Sequence, residues 1–438
     1  MHREELLQKI ESKSAVLGVI GLGYVGLPLA VEKAKAGYRT IGFDIQDAKV
    51  DLVNAGENYI GDVVDEDLKS LVESGMLRAT SDFSFVKDLD VLAICVPTPL
   101  TSHKDPDISY VVRSAEEIAA YIHPGMLIVL ESTTYPGTTE EVLKPILETS
   151  GFACGKDFFL AFSPERVDPG NALYKTKNTP KVVGGVDAAS TEVAAALYRH
   201  ILAGEVFPVS SPRVAEMEKI LENTYRNVNI ALVNEFTLLC NKMDIDMWEV
   251  VDAAKTKPYG FQAFYPGPGV GGHCIPLDPF YLTWKAREYD MKMTMIETAG
   301  AVNDAMPSYV VTRIARGLSR RFRKALNGAK VLMLGMAYKK DIDDLRDSPA
   351  LTIYELLLEE GAAVNYYDVL NPTFRDARGE TVHSVEKLTP EMLRSYDAVL
   401  ITTDHSTVDY DAVVRSAPYV FDTKNATRGM DSDVVERL

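Results

Sequence analysis

Residues 15–44 read AVLGVIGLGYVGLPLAVEKAKAGYRTIGFD. An apolar run rich in valine stops at Gly21, and glycines follow in the spacing G-x-G-x-x-G as Gly21, Gly23 and Gly26. A helical stretch then leads into a second apolar run that ends in Asp44. That is the order strand, tight turn, helix, strand. In such a unit the first glycine permits the turn, the second lets backbone approach a pyrophosphate, and the third lets helix pack on strand. The helix N-terminus, opened by Tyr24 and Val25 inside the turn, supplies positive potential. Asp44 stands 18 residues after Gly26, where a carboxylate would bind ribose hydroxyls and repel a 2′-phosphate. The stretch predicts a doubly wound dinucleotide-binding domain that takes NAD rather than NADP.

The same alternation continues outward. RTIGFDI, DVLAICVP, MLIVLEST, FFLAFSP, KVVGG and EVFPVS are short runs, most of them apolar on both faces, separated by longer polar stretches, which predicts a mostly parallel sheet covered by helices. At Ser211-Pro212 a capping residue and a helix-starting proline open about thirty residues without glycine or further proline, through Met243. Val214, Met217, Leu221, Val228 and Leu232 fall on one stripe of that helix. Such a helix between two α/β units is a natural subunit contact. A further helix is expected over Met247 to Lys255, then a loop, KPYGFQAFYPGPGVGGHC, too rich in proline and glycine for regular structure. Strand patterns resume at KVLMLGMAY, AAVNYYDV, YDAVLITT and YVFDTKN. The second series starts as the first did, with a strand ending in glycine, so duplication of a Rossmann-like half is plausible. Where the first half continues GLGYVG, the second reads GMAYKKD. The expected fold class is α/β, two Rossmann-like doubly wound domains joined by a long central helix, with domains at 1–210, 211–315 and 316–438.

Of the 438 residues, 46% are hydrophobic and 25% charged, a globular composition with length for two or three cores. The net charge of −17 disfavours nucleic acid and anionic membranes as partners. No apolar run approaches the roughly 18 residues that span a bilayer. The charged N-terminus, MHREELLQKIESKS, lacks the apolar core of a secretion signal, so a cytoplasmic location is expected. Cys95, Cys154, Cys240 and Cys274 form no CxxC pair, so neither a disulfide framework nor a zinc knuckle is expected.

Four groups of residues carry chemistry. Lys219 and Asn223, one helical turn apart, could move a proton at an alcohol and stabilise the resulting oxyanion, or could be ordinary solvated surface. Cys274 lies in the glycine-rich loop, where a cysteine kept for packing is out of place; a nucleophile is preferred to a spectator or to a metal ligand beside His273, and Asp278 could activate water. Glu131 to Thr134 and Ser163 to Arg166 stand at carboxyl ends of predicted strands, where ligands of open α/β sheets bind, though each could be a helix cap. Tyr338-Lys339-Lys340-Asp341 and Arg346 make a basic cluster suited to a diphosphate, or a solvated turn.

Taken in order, GLGYVGLP, VPTP, ESTTYPG, SPER, the Lys219-Asn223 pair, GPGVGGHCIPLD and KKDIDDLRDSP closely resemble the UDP-glucose/GDP-mannose dehydrogenase family, from about residue 15 to the C-terminus. The resemblance implies an NAD domain, a helical middle that makes a homodimer, and a C-terminal domain for the UDP part of a nucleotide sugar. Glu165-Arg166 resembles the branch that oxidises UDP-N-acetylhexosamines, and the loop KPYGFQAFYPGPG resembles UDP-N-acetylglucosamine 6-dehydrogenases. Lys424 stands where relatives often have arginine. The implied chemistry is a four-electron oxidation at C6. Lys219 and Asn223 handle the alcohol proton, Cys274 captures the aldehyde as a thiohemiacetal that becomes a thioester, and water positioned by Thr134 and activated by Asp278 or Glu165 releases the acid. By motif position, Lys49, Thr98 and Thr134 join Asp44 at NAD, while Glu165, Arg166, Val167, Arg226, Gly271, Tyr338 and Lys339 meet the substrate and Arg346 the diphosphate or the nicotinamide end. Three alternatives stay open: a UDP-N-acetylmannosamine or UDP-glucose dehydrogenase of the same family, a two-electron β-hydroxyacid dehydrogenase, which needs no cysteine, and a dinucleotide sensor without turnover.

Overall fold

In the computed structural model, which describes every residue except Met1, Asp62, Ser102, Pro169, Gly170, Ala172, His273 and Asp431, the stretch quoted above forms the middle of an eight-stranded sheet. Its strands are β1 (Val16–Ile20), β2 (Arg39–Phe43), β3 (Leu77–Thr80), β4 (Val91–Ile94), β5 (Leu127–Leu130), β6 (Phe159–Phe162), β7 (Lys181–Gly185) and β8 (Val206–Val209). They lie in the order β3-β2-β1-β4-β5-β6-β7-β8. The first six are parallel; β7 runs antiparallel to β6, and β8 follows β7 in parallel. Chain order reverses between β1 and β4, where Ile20 faces Phe43 on one side and Ile94 on the other. The loops after these three strands open at one end of the sheet, the switch point at which such folds bind ligands. Leu17, Val91, Leu127, Val129 and Ala161 pack against the helix Ala188–Ile201 on one face; Ile94, Ile128, Leu130 and Phe162 pack against Val111, Ala115 and Ile118 on the other. Burial on both faces explains why these runs are continuous rather than alternating.

The second sheet contains β9 (Lys330–Leu334), β10 (Ala363–Tyr367), β13 (Ala398–Ile401), β14 (Val420–Asp422) and β15 (Val435–Arg437), in the order β10-β9-β13-β14-β15, all parallel. A separate antiparallel hairpin joins β11 (Thr373–Arg375) to β12 (Thr381–His383). Met306, Val310, Ile314 and Leu318, from the helix Thr294–Phe322, bury one face of this sheet against Val331, Met333 and Leu400.

The duplication is visible in backbone hydrogen bonds. After β1, Gly21 has φ +88° and donates its N–H to Phe43 at 2.7 Å, while Asp44 accepts from Leu22 at 2.9 Å and from Gln46 at 3.0 Å. After β9, Gly335 has φ +83° and donates to Tyr367 at 3.0 Å, while Asp368 accepts from Met336 at 2.8 Å and from Leu370 at 2.9 Å. The halves share a turn that the later sequence, lacking two of the three glycines, only hints at.

The chain divides into two compact units, Met1–Glu222 with Phe280–Met291, and Asn223–Pro279 with Lys292–Leu438. The long helix Pro212–Met243 and the helix Met247–Ala254 stand as expected. Strand β3, the hairpin, β15 and the 29-residue helix Thr294–Phe322 were not read from sequence; that helix carries Pro307 in its interior, which hides its periodicity. Among the described residues, no helix is long and apolar enough to cross a membrane.

Candidate active site

The glycine turn has the form a dinucleotide requires. A Cβ at position 21 would come within 2.5 Å of the Cys95 carbonyl oxygen, and one at 26 would collide with the Gly21 carbonyl, whereas Gly23 has open space where its Cβ would be. Two glycines thus let the turn close and the third leaves room beside the helix N-terminus, a cradle matched to a pyrophosphate. Asp44 is nearly buried, anchored by its two amides, with Lys49 Nζ 3.6 Å from Oδ2. Tyr59, which sequence reading missed, holds the turn from the far side through its hydroxyl and the Leu22 carbonyl, 2.7 Å. At the ends of β4 and β5, Thr98 donates to the Thr133 carbonyl at 2.7 Å, and Tyr281 donates to the Thr98 carbonyl. The Thr134 hydroxyl is buried with no hydrogen-bond partner among the described residues. An orphaned buried hydroxyl beside this cradle is what a bound polar ligand would satisfy.

Glu131 does not face this cradle as a ligand. Its carboxylate accepts from Lys181 Nζ at 2.6 Å and from the Tyr198 hydroxyl, and Lys181 also reaches the Pro164 carbonyl at 3.1 Å. Lys33, on the helix Gly26–Lys35, is wholly buried beside this ion pair with Nζ unpartnered among the described residues. Burial pulls its ammonium down to about 8, more strongly than Glu131 supports it.

The SPER segment is turned onto the long helix. Arg166 meets the Glu222 carboxylate, donates to the Pro180 carbonyl at 3.1 Å and lies 3.4 Å from Glu218. Burial, with Glu222 as hydrogen-bond acceptor and like charge, raises the Glu218 carboxyl to about 7, while Arg166 brings Glu222 down, so below that pH Glu218 holds a proton that it donates to Glu222. Glu165 accepts the amides of Arg166 and Val167 at 2.8 Å each with one oxygen, so its carboxylate caps its own loop. Glu218 and Glu222 were missed; their signal was the pair of acids four apart around Lys219. Lys219 itself is 7% exposed and Asn223 5%, which overturns the reading of both as solvated surface.

In the second unit, Asn223 donates to Asp278 at 2.6 Å, and one turn later Asn227 donates to the Ile275 carbonyl at 3.0 Å. The Cys274 carbonyl accepts from Leu277 at 3.2 Å and Asp278 at 2.9 Å, so thiol and carboxylate stand at the two ends of one tight turn. Cys274 is reduced and exposed, and Asp278 opens the helix Asp278–Ala286, where a carboxylate is favoured by the helix dipole. The spacing Lys219, Asn223, Asn227 could have revealed the second asparagine. The glycines before the thiol have a packing reason: a Cβ at 271 would lie 2.5 Å from that of Tyr338, one at 272 would lie 2.9 Å from the same ring, and the Gly272 amide donates to the Arg346 carbonyl at 3.1 Å. Arg346 forms a two-pronged pair with Asp344, Nε to Oδ1 at 3.0 Å and Nη2 to Oδ2 at 2.7 Å. Lys339 is half-buried, Arg226 exposed, and the Lys424 ammonium is pulled down by burial against Asp404 and Asp422. His273 lies outside the described residues, among which no group of three His, Cys, Asp or Glu could hold a metal ion.

Three domain matches cover most of the chain: the NAD-binding domain of the UDP-glucose/GDP-mannose dehydrogenase family over 15–202, its central domain over 213–305 and its UDP-binding domain over 332–429. The chain is 37% identical to a UDP-N-acetyl-D-glucosamine 6-dehydrogenase of Pseudomonas aeruginosa, covering 90% of this chain and 91% of that one. It is 36% identical to a UDP-N-acetyl-D-mannosamine dehydrogenase of Pyrococcus horikoshii, over 91% and 92%. A solved structure of the UDP-D-ManNAc dehydrogenase from Pyrococcus horikoshii superposes with a TM-score of 0.87 at 32% identity, covering 96% of this chain and 98% of that one.

Proposed function

The chain belongs to the UDP-glucose/GDP-mannose dehydrogenase family and is an NAD-dependent UDP-sugar dehydrogenase of its N-acetylhexosamine branch; from that premise we propose that it oxidises C6 of UDP-N-acetylglucosamine to the uronic acid through a covalent adduct on Cys274. The observation that carries the covalent route is the tight turn joining Cys274 to Asp278, with Asn223 fixed on the carboxylate at 2.6 Å. A two-electron dehydrogenase has no use for an exposed thiol one turn from an oriented acid. The loop KPYGFQAFYPGPG supports the choice of N-acetylglucosamine among the C2 epimers.

The Gly21–Gly26 turn, Asp44, Lys49, Thr98 and Thr134 would hold NAD, which would supply the hydride acceptor for the two oxidations. The protein's own groups do the rest. The Lys219 amine takes the C6 hydroxyl proton through a water, and Lys219 with the Asn223 amide stabilises the oxyanion as the aldehyde forms. Cys274, as thiolate, adds to the aldehyde carbon, and the adduct keeps the sugar in place until a thioester forms. Asp278, tethered to the thiol's own turn, takes a proton from water as its oxygen attacks the thioester, releasing the acid and returning the thiolate. Glu165 shapes the loop of Arg166 and Val167, and Arg166 and Arg226 meet the substrate. Tyr338, Lys339 and Arg346 line the diphosphate.

The test is a panel of UDP-N-acetylglucosamine, UDP-N-acetylmannosamine, UDP-N-acetylgalactosamine and UDP-glucose, followed by NADH formation and product mass. The expected result is highest kcat/KM on the first and two NADH per sugar consumed. One NADH per sugar would overturn the covalent four-electron route, and a better N-acetylmannosamine substrate would overturn the epimer alone.

The protein is further proposed to be a homodimer through the long helix, since Leu221, Leu232, Phe236 and Leu239 on its stripe are at least half exposed in a single chain, which a partner's stripe would cover.

A further inference from the structure

The two Rossmann halves differ at one carboxylate. Asp44, after β2, is held by loop amides and has Lys49 at 3.6 Å. Its counterpart Asp368, after β10, is held by matching amides and by Asn371, whose Nδ2 donates to Oδ2 at 3.3 Å, and an imidazole stands against it as well: His405 Nε2 lies 3.3 Å from Oδ2, and the ring is 1% exposed. The other ring nitrogen, Nδ1, accepts the Asp341 N–H at 3.0 Å. Because an amide N–H can only donate, Nδ1 carries no proton and the neutral ring carries its hydrogen on Nε2, which meets Asp368 as a close polar contact without the alignment of a hydrogen bond. Buried Asp368 is thereby kept ionised: burial would raise its carboxyl, but His405 and the Met336 amide bring it down to about 2.

Asp341 is the last residue of the run Tyr338-Lys339-Lys340-Asp341 and sits at φ +58°, a left-handed state that aspartate tolerates and that contacts from outside hold in place. Those contacts come from the segment carrying His405. The Asp341 carboxylate accepts the Ser406 N–H at 2.7 Å and the Ser406 hydroxyl at 2.6 Å, and Lys340 Nζ stands 3.6 Å from Asp404. The segment is anchored in turn by Tyr410, whose hydroxyl donates to the His405 carbonyl at 3.2 Å. These loops follow β9 and β13, whose ends Leu334 and Ile401 are paired neighbours, so they flank the second sheet's own switch point.

We propose that His405 is a positioning residue for the sugar nucleotide: its neutral imidazole bridges the Asp368 carboxylate to the Asp341 backbone and so holds Lys339 in the conformation that receives the diphosphate. This rests on the reading of the 338–346 loop as the diphosphate site. Two substitutions divide the ring's functions. In His405→Asn the amide oxygen stands near the place of Nδ1 and can accept the Asp341 N–H; in His405→Gln the terminal amide reaches toward Asp368 but leaves that N–H unmet.

The expected result is that His405→Gln raises KM for UDP-N-acetylglucosamine and the inhibition constant of UDP by about tenfold, the loss of one oriented hydrogen bond, with kcat and the KM for NAD within about twofold. His405→Asn should recover most of that loss. Equal rises in the two variants, no rise in His405→Gln, or an NAD KM rising in step would each overturn the proposal. If the buried substitutions prevent folding, Ser406→Ala, at an exposed position, decides: it releases one hydrogen bond on Asp341 and should raise the same KM by about threefold, and an unchanged KM rejects the inference. Lys339→Ala separates the two levels. An unchanged sugar-nucleotide KM there removes the diphosphate reading itself, whereas a raised KM there with a silent His405→Gln removes only the role of His405.

Discussion

At the scale of single residues, the proposed route depends on the sulfur atom of Cys274. Replacing the Cys274 thiol by a hydroxyl changes little in volume but removes the more nucleophilic atom, the one that leaves readily from carbon. Cys274→Ser should therefore lower acid formation by roughly a thousandfold while leaving NAD binding unchanged, measured as product acid by mass and as cofactor affinity by fluorescence. Near-normal acid formation in that variant would remove the covalent mechanism. Cys274 and Asp278 stand out in the sequence because a cysteine kept for packing is out of place in a glycine-rich loop, and in the structure Cys274 is exposed with Asp278 one turn away. The engagement of Arg166 was not legible: its partner Glu222 is 56 residues away, and no local pattern records that distance.

At the scale of elements, two helices carry testable consequences. The helix Gly26–Lys35 buries Lys33 wholly, with Nζ unpartnered among the described residues and its ammonium brought from 10.5 to about 8. Between those values the unfolded chain keeps a proton that the folded protein has released, so folding stability rises with pH across that window; below it the folded state must carry a buried charge. Lys33→Met removes this cost, and denaturant unfolding at pH 7 should show a gain of up to about 3 kcal/mol that shrinks toward zero near pH 10.5. A constant difference at all pH values would contradict it. The second helix, Pro212–Met243, exposes Leu232 at 50% and Phe236 at 51%. In a twofold dimer each substitution counts twice, so Leu232→Glu with Phe236→Glu should raise the dimer dissociation constant by at least about a hundredfold, read by sedimentation velocity, without lowering the melting point of the monomer. Both helices were legible in outline, since spacing marks an apolar stripe. Whether a stripe faces the core or solvent was not, because both require the same periodicity.

At the scale of the whole molecule, a chain of net charge −17 needs local donors for the two anionic ligands proposed for it: the amides of the glycine turn in one unit and Lys339 in the other, since Arg346 is paired with Asp344 and Lys340 lies 3.6 Å from Asp404. Ligand protection should divide accordingly. At a hundred times its dissociation constant each ligand stabilises the fold that binds it by about 2.7 kcal/mol. Hydrogen exchange should then slow around residues 21–26 and 44–49 with NAD and around 335–346 with UDP; UDP protection centred on the glycine turn would reject the assignment of the second half. Alternating apolar runs and helical stretches, the G-x-G-x-x-G turn with Asp44, the long helix and the exposed thiol were all determined by sequence alone, because strand, turn and helix are set by residues within a few positions of one another. Strand order, the antiparallel entry of β7, the Glu131–Lys181 pair and the bridge from His405 to Asp341 were decided only in the tertiary structure. The last three join residues 22 to 64 positions apart, and such a pair acquires its meaning only when the fold brings the two segments side by side and removes water from between them.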